Sequence, residues 1–324
     1  MLEVQCELCP KMCLIKAGQS GECRVRINID GVLRTVVYGY PCSIHVDPVE
    51  KKPLFHFLPG SGILSIATVG CNLHCQNCQN WEISQANPED SRAYFLPPEE
   101  LLKLTGKYHC PSIAYTYTDP IIYYEYTYDT AKLARDNNIR NVLVTAGYIN
   151  QEPWKKLLEF VDAANIDLKS VRDDFYRRIC SGTLKPVQDA LVTAKASGTM
   201  VEVTNLIIPT LNDKPEEISE LARWVKRNMG EDTPLHFSGF TPRYKMRHLP
   251  QTSLKTLETA RQIAMSEGLE YVYIGNVRSK DGENTYCPVC KTLLIERVGY
   301  TILKNRMKNG DCSNCGKKIY GVWK

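Results

Sequence analysis

Short apolar segments alternate with longer amphipathic segments from residue 60 to about residue 276, and this alternation constrains the fold more than any other feature. The apolar segments lie at 63–69, 112–117, 141–145, 163–168, 201–208, 234–238 and 270–274. They have the length and composition of strands that are buried on both faces of a sheet. The helical periodicity between them indicates parallel βαβ units. Six units are too few for a closed eightfold barrel, so we predict an α/β protein with a partial (β/α)6 barrel.

One helix start carries a specific signal. Asp213 and Glu216 have the spacing of a capping box, with an acidic residue in the usual Ser/Thr position, and Pro215 stands in the predicted first turn. The pattern predicts a helix that is capped by the side chain of Asp213.

Two cysteine-rich segments flank the predicted barrel, and they suggest three modules. Residues 1–59 contain four cysteines and a hairpin pattern that turns at Asp30-Gly31. Residues 60–280 form the barrel. Residues 281–324 contain two C-x2-C pairs separated by a segment rich in Leu, Ile, Val and Tyr.

Composition indicates an ordinary globular protein. The 324 residues are 43% hydrophobic and 23% charged, and the net charge of +4 gives little support for binding to nucleic acid. No apolar stretch approaches the ~18 residues needed to span a bilayer, and the N-terminus lacks the pattern of a signal peptide. The fourteen cysteines fall into groups with metal-ligand spacing rather than a disulfide pattern. We therefore expect a cytoplasmic protein with no membrane association.

Three cysteines follow the first predicted strand directly. Cys71, Cys75 and Cys78 have the spacing C-x3-C-x2-C, and no fourth cysteine follows nearby. A [4Fe–4S] cluster normally takes four thiolates, so three would leave one iron open for chemistry, as in catalytic zinc sites. Half of a zinc site, or a C-x2-C redox pair with a bystander, are the alternatives. Because ligands of such barrels gather at the C-terminal ends of the strands, we predict that the triplet marks the active site.

The triplet resembles that of the radical S-adenosylmethionine (SAM) enzymes, and the barrel resembles the group around pyruvate formate-lyase activating enzyme. The whole chain resembles the radical SAM component of the AmmeMemoRadiSam system more closely. The matching features are the pattern Cys6-x2-Cys9-x3-Cys13-x9-Cys23, EKKPLFHF at 50–57, QNWEIS at 79–84, IAYTYTDP at 113–120 and the C-terminal cysteine pairs.

The resemblance implies that Cys71, Cys75 and Cys78 hold a [4Fe–4S] cluster whose open iron binds the amino and carboxylate groups of SAM. One electron from the cluster would cleave SAM reductively, and the resulting 5′-deoxyadenosyl radical would abstract hydrogen from a substrate that the sequence does not identify. Asn77 stands before the third cysteine, where the superfamily often has an aromatic residue that lies on adenine.

Further SAM contacts are implied at two strand ends. Thr118 and Asp119 occupy the place of a Gly-Gly-Glu-Pro motif that meets the SAM amino group, with Asp119 in place of the glutamate. Asp167 and Lys169 resemble the family's Asp-Leu-Lys motif, whose lysine pairs with the SAM carboxylate.

The later strands supply the remaining candidates. His236 on the sixth strand corresponds to a histidine that lies near SAM in related enzymes, although a buried histidine is also a common core residue. Glu202 and Asn205 on the fifth strand are candidates for ribose hydrogen bonds, and Gly275 and Asn276 resemble the segment that packs on adenine.

The terminal cysteines predict additional metals. Two C-x2-C knuckles indicate a structural zinc site, with rubredoxin-like iron as the alternative; its ligands would be Cys287, Cys290, Cys312 and Cys315. The N-terminal group suggests a second zinc or an additional iron–sulfur cluster, and the absence of a tight ferredoxin run slightly favours zinc; its ligands would be Cys6, Cys9, Cys13 and Cys23. Cys42, Cys110 and Cys180 are expected to be buried thiols without a role.

Three functions are compatible with these patterns. The favoured one is an oxygen-sensitive radical SAM enzyme that receives electrons from an external one-electron donor such as ferredoxin or flavodoxin. Companion proteins of the AmmeMemoRadiSam system are implied by the resemblance. The alternatives are a glycyl-radical enzyme activase that acts on a large partner protein and, with less support, a zinc-ribbon module that binds tRNA or protein.

Overall fold

The computed structural model describes residues 2–324. The N-terminal segment forms two small antiparallel pairs. Their strands are β1 (Glu3–Gln5) with β2 (Leu14–Lys16), and β3 (Arg26–Ile29) with β4 (Val32–Thr35). Asp30 and Gly31 join β3 to β4 with φ angles of +51° and +86°. The predicted hairpin turn is therefore present, because this tight turn places both central residues in the left-handed region.

The largest sheet contains eight strands. In chain order they are β5 (Ser43–Pro48), β6 (Gly62–Ala67), β7 (Ser112–Tyr115), β8 (Arg140–Thr145), β9 (Ala163–Asp167), β10 (Met200–Ile207), β11 (Leu235–Gly239) and β12 (Val272–Gly275). Strands β6 to β12 are parallel and lie side by side in chain order. The predicted α/β fold with a partial parallel barrel is confirmed, and an antiparallel strand, β5, covers the edge at β6.

Helices follow the parallel strands, as βαβ connections require. They are α1 (Trp81–Ser84), α2 (Pro98–Lys107), α3 (Tyr124–Asp136), α4 (Gln151–Leu158), α5 (Asp173–Phe175), α6 (Leu184–Ala196), α7 (Pro215–Met229) and α8 (Leu254–Ser266). Helix α7 shows why they pack on the sheet: Ile218, Leu221, Ala222 and Val225 recur at helical spacing, and all four are buried. They belong to one large core with the strand residues.

The predicted cap of α7 is wrong. The N-cap residue is Lys214, without a side-chain cap, and Pro215 is the first helical residue. Asp213 instead accepts a hydrogen bond from the backbone N–H of Thr210 at 2.9 Å. The loop before the helix therefore uses the carboxylate that the sequence pattern assigns to the helix.

The C-terminal segment forms a three-stranded sheet of β13 (Thr285–Tyr286), β14 (Leu293–Val298) and β15 (Thr301–Asn305). Its core also contains residues from the other two modules, because Phe55 of the N-terminal module and Tyr271 and Tyr273 of the barrel pack with Leu294 and Ile295. No helix within residues 2–324 is long and apolar enough to cross a membrane.

Candidate active site and metal centres

The cysteine triplet lies in the loop that leaves the C-terminal end of β6. Gly70, directly before Cys71, has a φ angle of +92°. A Cβ atom at this position would come within 2.5 Å of the carbonyl oxygen of Cys23. The chain therefore requires glycine at the point where it enters the loop.

The three thiols line one cavity of about 470 Å³ at the C-terminal ends of the strands. This volume lies within the range of ~300–1,000 Å³ that is typical of small-molecule sites. The same cavity is lined by most of the residues that the sequence predicts to contact SAM, namely Thr118, Asp119, Asp167, Lys169 and Asn276. The fold thus brings the triplet together with the ends of β7 and β9.

A second cavity of about 420 Å³ adjoins the first. His236 and Gly275 line this second cavity. The two cavities share wall residues, which are Lys51, Pro53, Gln79, Ser238, Asn276 and Tyr300. A molecule in the second cavity would therefore lie next to a molecule in the first.

The chemistry of the triplet fits an iron–sulfur cluster. Burial raises the pKa of the Cys71 and Cys78 thiols, and a hydrogen bond with Cys180 followed by burial raises that of Cys75. These thiols keep their protons until a metal replaces them, because only thiolate binds iron tightly. Three sulfur ligands from one loop, beside a cavity of this size, suit a [4Fe–4S] cluster with one iron open to a small ligand.

The carboxylate of Asp119 is already engaged by neighbouring strand ends. Its Oδ1 atom accepts hydrogen bonds from the backbone N–H of Ile121 at 3.1 Å and from the hydroxyl of Thr145 at 2.9 Å. Its Oδ2 atom accepts one from the backbone N–H of Ala146 at 2.9 Å. Since a carboxylate offers about four acceptor positions, one remains for the predicted contact with the SAM ammonium.

Lys169 places a positive charge in the same cavity as the triplet. Its Nζ atom lies 2.7 Å from Oδ2 of Asp167. Burial opposes its charge, but Asp167, Cys75 and Cys180 outweigh burial and raise the pKa of Lys169 well above its usual value. A permanent ammonium in this cavity can neutralise a ligand carboxylate.

Cys180 is a site residue that sequence reasoning missed. It ends a π-helical turn, Tyr176–Cys180, and its carbonyl oxygen accepts a hydrogen bond from the backbone N–H of His74 at 3.0 Å. Its thiol is fully buried and lies within hydrogen-bond reach of Cys75. No spacing rule links these two cysteines, so only the fold reveals the contact.

The fifth-strand candidates point into the barrel interior. Both oxygens of Glu202 are engaged, one by the ring N–H of His236 at 2.5 Å and the other by the backbone N–H of His56 at 2.7 Å. Asn205 donates to the carbonyl oxygens of Leu168 and Lys169 at 2.8 and 3.1 Å. Its Oδ1 atom is buried without a hydrogen-bond partner among residues 2–324. Glu202 therefore has a structural use that differs from the predicted ribose contact, and Asn205 retains a free acceptor.

A second unforeseen group lies at the wall of the main cavity. The buried ammonium of Lys52 contacts Oδ2 of Asp47 at 2.6 Å, and it lies 4.3 Å from the centre of the Tyr117 ring. The Tyr117 hydroxyl also donates to Asp47. Burial lowers the pKa of Lys52 to about 8 despite the neighbouring carboxylate.

Comparison with known proteins identifies the family. A model of the radical SAM superfamily matches residues 65–225, which include the triplet and strands β7 to β10 at the main cavity. An uncharacterized protein of Methanocaldococcus jannaschii is 48% identical over 319 residues, which cover 98% of this chain and 95% of that protein. The chain belongs to the radical SAM superfamily. It is an enzyme that uses the chemistry of this superfamily, in which a [4Fe–4S] cluster and SAM generate a radical.

A curated relative and a solved structure give two further comparisons. The pyruvate formate-lyase-activating enzyme of Clostridium pasteurianum is 27% identical over 201 residues, covering 58% of this chain and 81% of that enzyme. The structure of Streptococcus suis SuiB bound to S-adenosylmethionine superposes with a TM-score of 0.53 at 9% identity, over 74% of this chain and 56% of that one. The first similarity supports kinship with activating enzymes, and the second supports the fold alone.

The C-terminal cysteines of the radical SAM enzyme form a compact group. The sulfur atoms of Cys287, Cys290, Cys312 and Cys315 all lie within 4.8 Å of one another. This arrangement can hold one metal ion in tetrahedral coordination. The group therefore fits a metal, as the two knuckles predict.

The N-terminal cysteines of the radical SAM enzyme pack against the triplet loop. The carbonyl oxygen of Cys23 lies beside Gly70, and Asn72 lines a small cavity together with the N-terminal thiols. The first module is therefore continuous with the wall of the active site.

Proposed function

We propose that this enzyme binds SAM in the main cavity and abstracts hydrogen from a substrate held in the adjoining cavity. The observation that carries the proposal is the shared wall of the two cavities, in which Ser238 and Asn276 face both. A radical formed in one cavity would meet a substrate in the other without crossing solvent.

Different residues of the main cavity would bind the cluster, the SAM carboxylate and the SAM ammonium. Cys71, Cys75 and Cys78 would hold the cluster, which supplies the electron that cleaves bound SAM. Lys169 would leave Asp167 in part and pair with the SAM carboxylate, because a charge-assisted hydrogen bond of this kind is strong in a buried site. Asp119 would offer its free acceptor position to the ammonium.

The remaining candidates would support the end of β7 or orient the nucleoside of SAM. The Thr118 hydroxyl donates to the carbonyl oxygen of Thr68 at 2.8 Å, which holds the β7 end against β6. Asn205 has its buried acceptor for a ribose hydroxyl. Gly275 and Asn276 would give adenine a close approach to the backbone, since Gly275 has no side chain to block it.

The second cavity favours a small polar substrate. Its wall includes His236 and the charged residues Lys51, Arg278 and Glu283. Gly299 and Tyr300, at the turn between β14 and β15, also line it. A cavity bounded by this hairpin and by charges of both signs suits a compact molecule with polar groups of its own.

We further propose that the protein is the radical SAM component of an AmmeMemoRadiSam system, with companion proteins and an external donor such as ferredoxin or flavodoxin. The resemblance to that component along the chain, which includes the motifs at 50–57 and 113–120, supports the assignment. The C-terminal cysteines would hold structural zinc. The fourteen free thiols suit a reducing, cytoplasmic setting.

A glycyl-radical activase is the second candidate. Two relatives carry activating-enzyme names, those of Clostridium pasteurianum and of the 4-hydroxyphenylacetate decarboxylase of Clostridium scatologenes. The hairpin turn at Tyr300 narrows the space that a glycyl loop of a large partner would enter. A tRNA- or protein-binding zinc ribbon would account for neither cavity.

The test is reconstitution with iron and sulfide under anoxia, followed by dithionite and SAM. We expect 5′-deoxyadenosine from the wild type and from Cys110→Ala, which removes a buried thiol far from the cavity. We expect none from Cys71→Ala/Cys75→Ala/Cys78→Ala. Formation of 5′-deoxyadenosine by the triple variant would overturn the proposal. Cell extracts can then be fractionated to find the substrate. Tyr300→Ala, which widens the second cavity, should change 5′-deoxyadenosine formation that depends on the substrate and leave formation without substrate unchanged.

A further inference from the structure

The N-terminal cysteines line a small cavity of about 20 Å³. Backbone hydrogen bonds hold them in place: the N–H of Cys6 donates to the carbonyl oxygen of Cys13 at 2.9 Å, and that of Met12 donates to Cys9 at 3.1 Å. Besides the thiols, the wall contains aliphatic and polar side chains in equal number, namely Leu8, Ile15, Ile121 and Ile122, and Lys11, Glu22, Arg26 and Asn72. Four cysteines that line one cavity match the ligand set of a metal centre.

A buried cation faces the same space. Arg26 lines the cavity and is only 8% exposed. Two of its nitrogens form a bidentate pair with Glu125 at 2.7 and 2.8 Å, but its Nε atom is buried without a partner among residues 2–324. A centre with four thiolate ligands carries net negative charge, so an unpaired guanidinium N–H beside it has a natural acceptor in a cysteine sulfur.

The distances between the cysteine sulfur atoms distinguish a zinc site from an iron–sulfur cluster. Tetrahedral zinc with Zn–S bonds of ~2.3 Å requires sulfur atoms ~3.8 Å apart. The C-terminal group approaches this arrangement, because its four sulfur atoms all lie within 4.8 Å of one another. Among the described residues, no other group of three or more potential metal ligands is so compact. The N-terminal group does not converge so closely, and neither does the triplet of the SAM cluster. Wider spacing is expected of a cluster, since each cysteine sulfur binds a different iron.

We propose that Cys6, Cys9, Cys13 and Cys23 bind a second iron–sulfur cluster, of the four-thiolate [4Fe–4S] type, instead of zinc. The inference is independent of where SAM and the substrate bind. The cluster would lie against the loop of the first one, because Asn72, which directly follows Cys71, lines the same cavity as Cys9.

The test compares the metal content of two variants after anoxic reconstitution. Cys71→Ala/Cys75→Ala/Cys78→Ala leaves the N-terminal module intact, and Cys9→Ala/Cys13→Ala leaves the triplet intact. We expect about eight irons and eight sulfides per chain in the wild type and about four of each in either variant. Cys42→Ala, which changes a cysteine outside both groups, should retain the wild-type content.

Electron paramagnetic resonance of the dithionite-reduced variants assigns the clusters. SAM should change the spectrum of the N-terminal variant and leave that of the triplet variant unchanged, because a cluster with four cysteine ligands has no open iron. The wild-type spectrum should show broadening from two adjacent spins. About two zinc atoms per chain, with no iron or sulfide in the triplet variant, would overturn the inference. This outcome does not depend on whether the N-terminal variant folds, and it leaves 5′-deoxyadenosine formation by the wild type unaffected.

Discussion

The ring N–H of His236 donates to a carboxylate oxygen of Glu202 at 2.5 Å, and neither side chain is more than 2% exposed. The pair continues into a longer network, because His56 hydrogen-bonds to Glu202 through its backbone and to the Tyr273 hydroxyl through its ring at 2.6 Å. Arg297 of β14 joins the network through the Thr285 hydroxyl, which contacts the Tyr273 hydroxyl at 2.9 Å and Nη1 of Arg297 at 2.8 Å. The barrel interior is therefore polar below the cavities and is closed by a residue of the C-terminal module.

Replacement of Glu202 by alanine should destabilise the protein strongly. The change leaves a buried imidazole and a buried N–H without their acceptor, a loss of about 3–5 kcal/mol in the free energy of unfolding. Urea unfolding under anoxia at neutral pH measures it. Glu220→Ala, at an exposed position of α7, is the control. A difference below about 1 kcal/mol between the two variants would contradict a structural role for the pair.

Lys52 should make stability increase in mildly alkaline solution. Its pKa falls from 10.5 to about 8 on folding, mainly through burial. The unfolded chain then binds more protons between pH 8 and pH 10.5, so the free energy of unfolding rises with pH across this window. The rise due to this residue amounts to about 3 kcal/mol.

The measurement is the pH profile of unfolding in the wild type and in Lys52→Met. The variant should lack that part of the rise, whereas Lys132→Met, at an exposed position, should retain it. Parallel profiles for wild type and Lys52→Met would show that the lysine keeps an ordinary pKa.

Lys169→Met should weaken the binding of SAM about 10–100-fold, because hydrogen bonds to charged groups contribute about 1.5–3 kcal/mol. Equilibrium dialysis of SAM against the reconstituted, unreduced protein measures the effect apart from catalysis. Lys169→Arg keeps the charge and should recover part of the affinity. Lys185→Met changes a lysine that is exposed on α6 and should bind as the wild type does. Equal affinity in Lys169→Met would place the SAM carboxylate elsewhere.

Cys180→Ala should leave the iron content unchanged and make the reduction potential of the SAM cluster more negative. The S–H group beside Cys75 can donate to a ligand sulfur, and such hydrogen bonds stabilise the reduced cluster. A redox titration followed by electron paramagnetic resonance, performed in the Cys9→Ala/Cys13→Ala background, isolates this cluster. Cys110→Ala is the matched control. A loss of iron in Cys180→Ala would instead indicate that Cys180 is itself a ligand.

Cys312→Ser/Cys315→Ser should remove about one zinc per chain. It should also lower the midpoint of heat unfolding for the whole protein, because the small sheet shares its core with Tyr271 and Tyr273 of the barrel. Metal analysis and circular dichroism measure the two effects. A variant that lost zinc but unfolded at the wild-type temperature would show that the metal contributes nothing to the barrel.

The sequence predicts the parallel strands well because their signals are local. Each buried strand is a short apolar run, and the structure begins or ends these strands within three residues of the predicted bounds. Strand β5 gives a weaker signal, since it lies at the sheet edge and exposes Ile44 and Val46 in part. Strand β5 forms by pairing with β6, and the residues of β5 alone do not indicate a strand.

The candidate site was predictable where residues lie close together in the chain or end a strand. The triplet, Asp119 and Lys169 meet because parallel strands deliver their C-terminal ends to one edge. The contacts of Cys180 with Cys75 and of Lys52 with Tyr117 involve residues outside the parallel strands, in the π-helical turn that ends at Cys180 and in the short turn after β5. Such contacts depend on tertiary packing, which no local pattern encodes.

The last residues of the chain have a further consequence. The backbone of Val322 hydrogen-bonds to both His56 and Leu58 at 2.7 Å, and Tyr320 and Val322 pack on Ile63 and other residues near the N-terminal ends of the strands. The end of the barrel opposite to the cysteine triplet is therefore covered by residues that follow every barrel strand in the sequence. A nascent chain can carry every strand of the barrel and every cysteine of the active site and still lack this cover.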